Sequence, residues 1–273
     1  MDTTTFDFAT TYPVTSGQSD QYRKDGHILL RGVVSSDELA HFRSLIIAYV
    51  DEVIHTHGSR VQLEDDTTLF TRVTNVWRRN DQIRELVFAR RFARIAAQLM
   101  GVKGVRLYHD QVLLKDPGRS WTPWHKDHFY CPLATPNIVK MSLALTDVTR
   151  EMGPMVFVSG SHLGGMFPEA PFSLTTQETF NEVIRSHKIP TVTHCMNAGD
   201  ALFHSGDVLH SAMQNVSARR RESLTIVYYA DATLIMVPTY EQRKEEMKEF
   251  LPGLNPGDLA ASELNPILYR SSE

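Results

Sequence analysis

The sequence predicts a mainly β protein with flanking α-helices, its strands folded as a double-sheet jelly roll or barrel. Three observations lead there. From Val102 onward, short runs rich in β-branched and aromatic residues recur between Gly, Pro, Asn and Asp, and about eight of them fit the stretch, as two facing sheets require. Ahead of them lie two helical patterns whose apolar stripes need a surface to cover. The 273 residues are 42% hydrophobic and 22% charged, an ordinary globular balance with enough apolar material for one substantial core.

Taken in order, residues up to about Ser19 are rich in Thr and Ser and are expected to form a loosely held lead-in. Ile28, Leu29 and Leu30, then Val33 and Val34, give a short buried strand broken at Gly32. Ser35 followed by Glu38 is a capping box. The helix it opens has Leu39, Phe42, Leu45, Ile46, Tyr49, Val50 and Val53 at helical spacing and closes at Gly58-Ser59. Phe70 to Trp77 is a strand or a lid. Asn80 or Asp81 caps a second helix, with Ile83, Leu86, Val87, Phe92, Ile95, Ala96 and Leu99 on one face and Gly101 as its stop.

The strand candidates that follow are Val105–Lys115, Trp124–Cys131, Ile138–Val148, Met155–Val158, Thr191–Cys195, Asp200–Phe203, Val208–Ala212 and Ser223–Ala230. Between them, Gly164 to about Ser186 is a long insertion and a candidate cover for the barrel mouth. A charged helical piece, EQRKEEMKEF, precedes a Pro/Gly-rich end. The whole of 1–273 is expected to be one domain: a helical part over about 20–101 packed on a core over about 102–231, with an extension over 232–273.

Composition excludes several classes of function. A net charge of −4 and a pI near 6.3 argue against nucleic acid as partner. No apolar run is long enough to cross a bilayer, and the first residues lack the basic and apolar regions of a secretory signal. Two cysteines, Cys131 and Cys195, make neither a disulfide framework nor a Cys-rich zinc site. The expectation is a cytoplasmic protein, monomer or homodimer, acting on a small molecule.

His125 and Asp127 lie two apart in what the pattern makes an extended segment, which puts an imidazole and a carboxylate on one face. Adding one distant histidine gives the facial triad that suits non-haem Fe(II), with its opposite side open. In a chain with twelve histidines the pair alone carries little weight. Period two in Val105–Lys115 aligns His109, Gln111, Leu113 and Lys115 on one face. Gln111 then points to a pocket role. Lys115 either serves the pocket or holds its ammonium in water at the strand end, before Asp116-Pro117-Gly118. Of Arg219, Arg220 and Arg221, which precede an apolar strand, one aimed into the barrel would hold a carboxylate by a bidentate pair.

HxD at 125–127, the segment ALTDVTREMGPMVFVSGSH at 144–162, and His210 followed by Asn215, Ser217 and Arg221 resemble the phytanoyl-CoA dioxygenase family. The opening DGHILLRGVVSSDEL is also similar to that family's strand–helix entry, and the likeness runs from about Asp20 to Asp231. The resemblance implies a double-stranded β-helix core and an Fe(II)- and 2-oxoglutarate-dependent dioxygenase, with O2 as oxidant, succinate and CO2 as coproducts, and ascorbate as a possible support. It assigns the iron to His125, Asp127 and His210. His204 is a rival for the distal position, but the Asn, Ser and Arg offsets fit only His210. It assigns the far carboxylate of 2-oxoglutarate to Arg221, with Gln111 and Lys115 near the cosubstrate. Two positions depart from the family pattern: Ala212, where Ser is common, and Ser142, where some members carry an aromatic. Halogenating relatives replace the carboxylate ligand, whereas Asp127 is kept here, which disfavours halogenation.

The expected reaction is oxidation, foremost hydroxylation, of a C–H bond in a small or medium-sized metabolite. Desaturation, epoxidation and rearrangement are further outcomes of the same oxidant. Asn75, Trp77, Phe129, Tyr130 and the 164–186 insertion are the candidates for substrate contact. A jelly-roll binding or sensor protein would not need Arg221, and a cupin-type metalloenzyme would use more histidine ligands.

Overall fold

The computed structural model describes residues 10–57, 60–62, 68–171 and 173–271. The first hundred residues form α1 (Ser16–Asp25), β1 (His27–Leu30), α2 (Ser36–His57), β2 (Arg60–Gln62), β3 (Thr68–Thr74), α3 (Asp81–Val87) and α4 (Arg90–Met100). There follow β4 (Gly104–Lys115), β5 (Thr122–His125), β6 (Ile138–Ala144), β7 (Met155–Phe157), α5 (Leu174–Ser186), β8 (Val192–Thr193), β9 (Ala201–Ser205), β10 (His210–Ala212) and β11 (Arg221–Ala230). The chain closes with α6 (Glu241–Phe250) and β12 (Ile267–Arg270).

Two antiparallel sheets result. The larger runs β1-β9-β6-β11-β4-β3-β2, with β12 also paired to β4, and the smaller runs β5-β10-β7-β8. Alternation along the strands decides what each face does. On β4, Val112 and Leu114 point outward and join Met141, Leu143, Leu224 and Ile226 beneath Phe42, Ile46 and Val50 of α2 and Phe92, Ile95 and Leu99 of α4. Each such large apolar side chain stabilises the fold by about 1.5–3 kcal/mol. The opposite faces of both sheets are left for a polar interior. The mainly β class, the jelly-roll core and the helices on one outer face are as the sequence predicts. No helix among the described residues is long and apolar enough to cross a membrane.

The differences have local causes. Helix α1 stands where a loose lead-in was expected: Thr15 and Gln18 form a capping box and Gly26 closes the helix with φ 78°, but only Tyr22 is buried, so there is no apolar stripe to detect. The second expected helix is two, because Ala89 is extended (φ −51°, ψ 114°) between α3 and α4. The segment Trp124–Cys131 is not one strand. It leaves the sheet at His125 and enters a 3-10 turn over Asp127–Phe129. The insertion holds a full helix, α5, capped by Ser173, and it packs on Trp124, whose backbone and indole N–H groups donate to Gln177 and Asn181. Among the described residues, none of the insertion lines the cavity, whereas Glu246 of α6, from the C-terminal extension, does. The closing of the first helix at Gly58-Ser59 lies outside the described residues.

Candidate metal and cosubstrate site

β5 and β10 are neighbours in the smaller sheet, and their register makes His125 and His210 cross-strand partners, with ring centroids 4.1 Å apart. Asp127 joins them from the turn rather than from the strand. The ligand atoms of His125, Asp127 and His210 all lie within 4.8 Å of one another. Backbone carbonyls set each ring: His125 Nδ1 meets Pro123 O at 2.8 Å and His210 Nδ1 meets Val208 O at 3.1 Å. With Nδ1 as donor, each Nε2 turns its lone pair toward Asp127, 3.7 Å away in both cases. Burial first, with the neighbouring histidines and Lys140 adding to it and Asp127 opposing it, pushes both imidazoles down to about 3, so they are neutral as metal ligands must be.

Asp127 is held on both oxygens. Lys140 Nζ lies 3.1 Å from Oδ1 and His204 Nε2 lies 3.0 Å from Oδ2. Burial alone would raise this carboxyl, but Lys140, His210 and His204 keep it well below its ordinary value. His204, the rival for distal ligand, therefore braces the carboxylate.

The register of the larger sheet orders the rest of the cavity. His27, His204, Lys140, Val227 and His109 stand in one line across β1, β9, β6, β11 and β4. Two residues along comes Ser142, Thr225 and Gln111, then Ser223 and Leu113, and finally Arg221 opposite Lys115. The cavity, about 270 Å³, runs between these ends. Arg221 lines it while almost wholly buried, donating to Gly153 O and making no ion pair among the described residues. Burial draws it down to about 10. A guanidinium desolvated without a carboxylate is costly, and its place in a cavity wall suits an anionic ligand.

Iron and 2-oxoglutarate fit this donor set: two neutral imidazoles and one carboxylate on one side, an unpaired buried arginine at the far end. The comparisons agree. The profile of the phytanoyl-CoA dioxygenase family matches residues 22–223. The chain belongs to that family. A curated relative, the ectoine dioxygenase of Stutzerimonas stutzeri (strain A1501), is 23% identical over 251 residues, covering 85% of this chain and 82% of the relative. Among solved structures, the non-haem α-ketoglutarate-dependent carbocyclase SnoK from nogalamycin biosynthesis is 26% identical with a TM-score of 0.78, over 93% and 96% of the two chains. The epimerase SnoN, in complex with Fe3+, α-ketoglutarate and nogalamycin RO, is 26% identical with a TM-score of 0.74, over 92% and 97%. This member of the phytanoyl-CoA dioxygenase family is an iron- and 2-oxoglutarate-dependent dioxygenase.

The remaining predicted residues divide. Gln111 and Tyr130 line the cavity. Lys115 does not. It is fully buried beside Arg221 and donates to Met213 O at 2.6 Å, so the solvent alternative fails as well. Burial, then Arg221, draws its ammonium down to about 6. Phe129 is not among the cavity-lining residues; its ring lies tilted against Tyr240 with Arg243 over it. Trp77 is core, against Phe88 and Arg84. Asn75, at φ 51°, opens the turn after β3 and lines a separate groove. Sequence reasoning missed Lys140, Arg72 and Glu246, and named His204 only as a rival ligand, not as a partner of Asp127. Period two along β6 would have grouped Lys140 with Ser142, but only the folded sheet brings Lys140 to Asp127.

Proposed function

We propose that this enzyme hydroxylates an unactivated C–H bond of a small or medium-sized metabolite, with His125, Asp127 and His210 holding Fe(II). Arg221 receives the far carboxylate of 2-oxoglutarate, and that buried, unpaired guanidinium is the observation that carries the reading. Bound iron, with 2-oxoglutarate and O2, supplies the oxidation and yields succinate and CO2. The chain's own work is placement. Pro123 O and Val208 O fix the imidazole tautomers, Lys140 and His204 fix the carboxylate, and Gly153 O aims Arg221. Gln111 offers an amide along the cosubstrate's path, and Lys115, buried beside Arg221, supports that end of the site from behind without lining the cavity. Tyr130 is the wall residue taken for substrate contact.

A relative named for ectoine and neighbours named for nogalamycin biosynthesis support a metabolite substrate. The carbocyclase and epimerase among the structural neighbours favour a second reading, in which C–H abstraction ends in ring closure or inversion instead of oxygen insertion. The enzyme is taken to act in the cytoplasm as a monomer or homodimer, a compartment its two free cysteines support. Ascorbate is expected to sustain turnover. The test is a metabolite screen scored by succinate release, repeated for each active compound under 18O2. Label in the product is expected for hydroxylation; its absence with succinate still formed would replace it by the second reading. No succinate under any condition would overturn both.

A further inference from the structure

The end of the cavity away from Arg221 has hydrogen-bond donors to spare. Lys140 spends one of its three N–H groups, on Asp127. Arg72 of β3 lines the same cavity and makes no hydrogen bond or ion pair among the described residues. His109, buried and stacked on Phe250 at 4.3 Å, has no hydrogen-bond partner for its side-chain Nδ1 among the described residues. Against these stands one carboxylate, Glu246 of α6, which accepts from Tyr108 Oη at 3.3 Å and has no ion pair among the described residues.

Charge leads the same way. With iron and 2-oxoglutarate in place, Asp127 and the cosubstrate's two carboxylates exceed the metal's charge by one negative, which Arg221 meets. Burial raises the Glu246 carboxyl to about 7 against the opposing pull of Arg72, and the same guanidinium, after burial, lowers the His109 imidazole, so Arg72 faces both groups. The positive charge of Lys140 is left over in a partly desolvated chamber, where an uncompensated charge is costly.

Resting on the iron and 2-oxoglutarate reading above, we propose that Lys140, with Arg72 of β3, selects a substrate bearing one carboxylate or comparably acidic group. That group sits at the end of the cavity remote from Arg221, and Glu246 and His109 contact the polar atoms beside it. A charge-assisted pair of this kind favours an acid over its amide by about tenfold or more.

The test uses the full chain loaded anaerobically with Fe(II) and 2-oxoglutarate. It is titrated with acetate against acetamide, benzoate against benzamide, and 3-phenylpropanoate against its amide, read by calorimetry and by perturbation of the visible charge-transfer band. The acids are expected to bind about tenfold or more tightly than the amides in the native protein, and equally with them in Lys140→Gln. If Lys140→Gln does not hold iron, Arg72→Gln is expected to reduce the preference in the same way. Amides binding as well as acids, a preference that survives both substitutions, or no acid registering at all would each overturn the proposal. A charge-transfer band that never forms defeats the iron reading; a band without acid preference defeats this inference alone.

Discussion

Replacing Arg221 separates the two effects of a buried, unpaired cation. Arg221 lies on β11 opposite Lys115, 8% exposed, with Gly153 O as an acceptor and no carboxylate within ion-pair range among the described residues. If it pairs with 2-oxoglutarate, Arg221→Gln leaves one carboxylate of the cosubstrate desolvated and unmet, a loss of about 2–5 kcal/mol, or roughly 30- to 5,000-fold in its dissociation constant. Iron or Mn(II) binding should be unchanged, because the triad sits at the other end of the cavity and shares no partner with Arg221. The same substitution should raise the melting temperature of the ligand-free protein, since it removes a desolvated charge adjacent to the depressed ammonium of Lys115. Calorimetric titration of the Mn(II)-loaded protein with 2-oxoglutarate, together with thermal unfolding without it, reads both. Unchanged cosubstrate affinity would refute the assignment, and a fall in stability would refute the physical reason offered for it.

Lys115→Met should stabilise the ligand-free protein at neutral pH. The folded ammonium is drawn to about 6 from an ordinary 10.5, so between those values the unfolded chain binds the extra proton and stability rises with pH. The gain from Met should therefore be greatest near pH 6 and vanish above 10.5, which denaturant melts across that range would measure. Gly153→Ala should cost about 1–3 kcal/mol, because Gly153 sits at φ 71° and a Cβ there would strike Met213 O; equilibrium melts check the cost, and 2-oxoglutarate affinity should fall with it as the backbone shift displaces the carbonyl that aims Arg221. His210→Phe should abolish Mn(II) binding while His204→Phe weakens it and leaves it measurable. Equal loss in both, by calorimetry, would make His204 a ligand after all.

Much of this was legible in the sequence, for reasons that differ by element. The start of α2 could be placed because its capping box and apolar stripe are local signals, and the hydrogen bonds between Ser35 and Glu38 are present. β4 could be read down to which residues face inward because alternation is also local. The triad was legible through spacing, although the argument from an extended segment was wrong: His125 ends the strand and Asp127 lies in a turn. What stayed hidden depends on register. Lys140 and His204 meet Asp127 only because β6 and β9 pair as they do, and nothing in either strand announces that offset. Glu246 is further still from view, since α6 reaches the cavity only after Phe250 packs on Tyr108 and His109.

The central claim is that one cavity holds iron at His125, Asp127 and His210 and 2-oxoglutarate between that iron and Arg221. Anaerobic titration of the Fe(II)-loaded protein with 2-oxoglutarate, followed in the visible, tests it most directly. A weak charge-transfer band should grow to saturation at one equivalent in the native protein, require far more 2-oxoglutarate in Arg221→Gln, and be absent in His210→Phe. Iron-loaded native protein that binds 2-oxoglutarate without such a band, or a band untouched by both substitutions, would contradict the account.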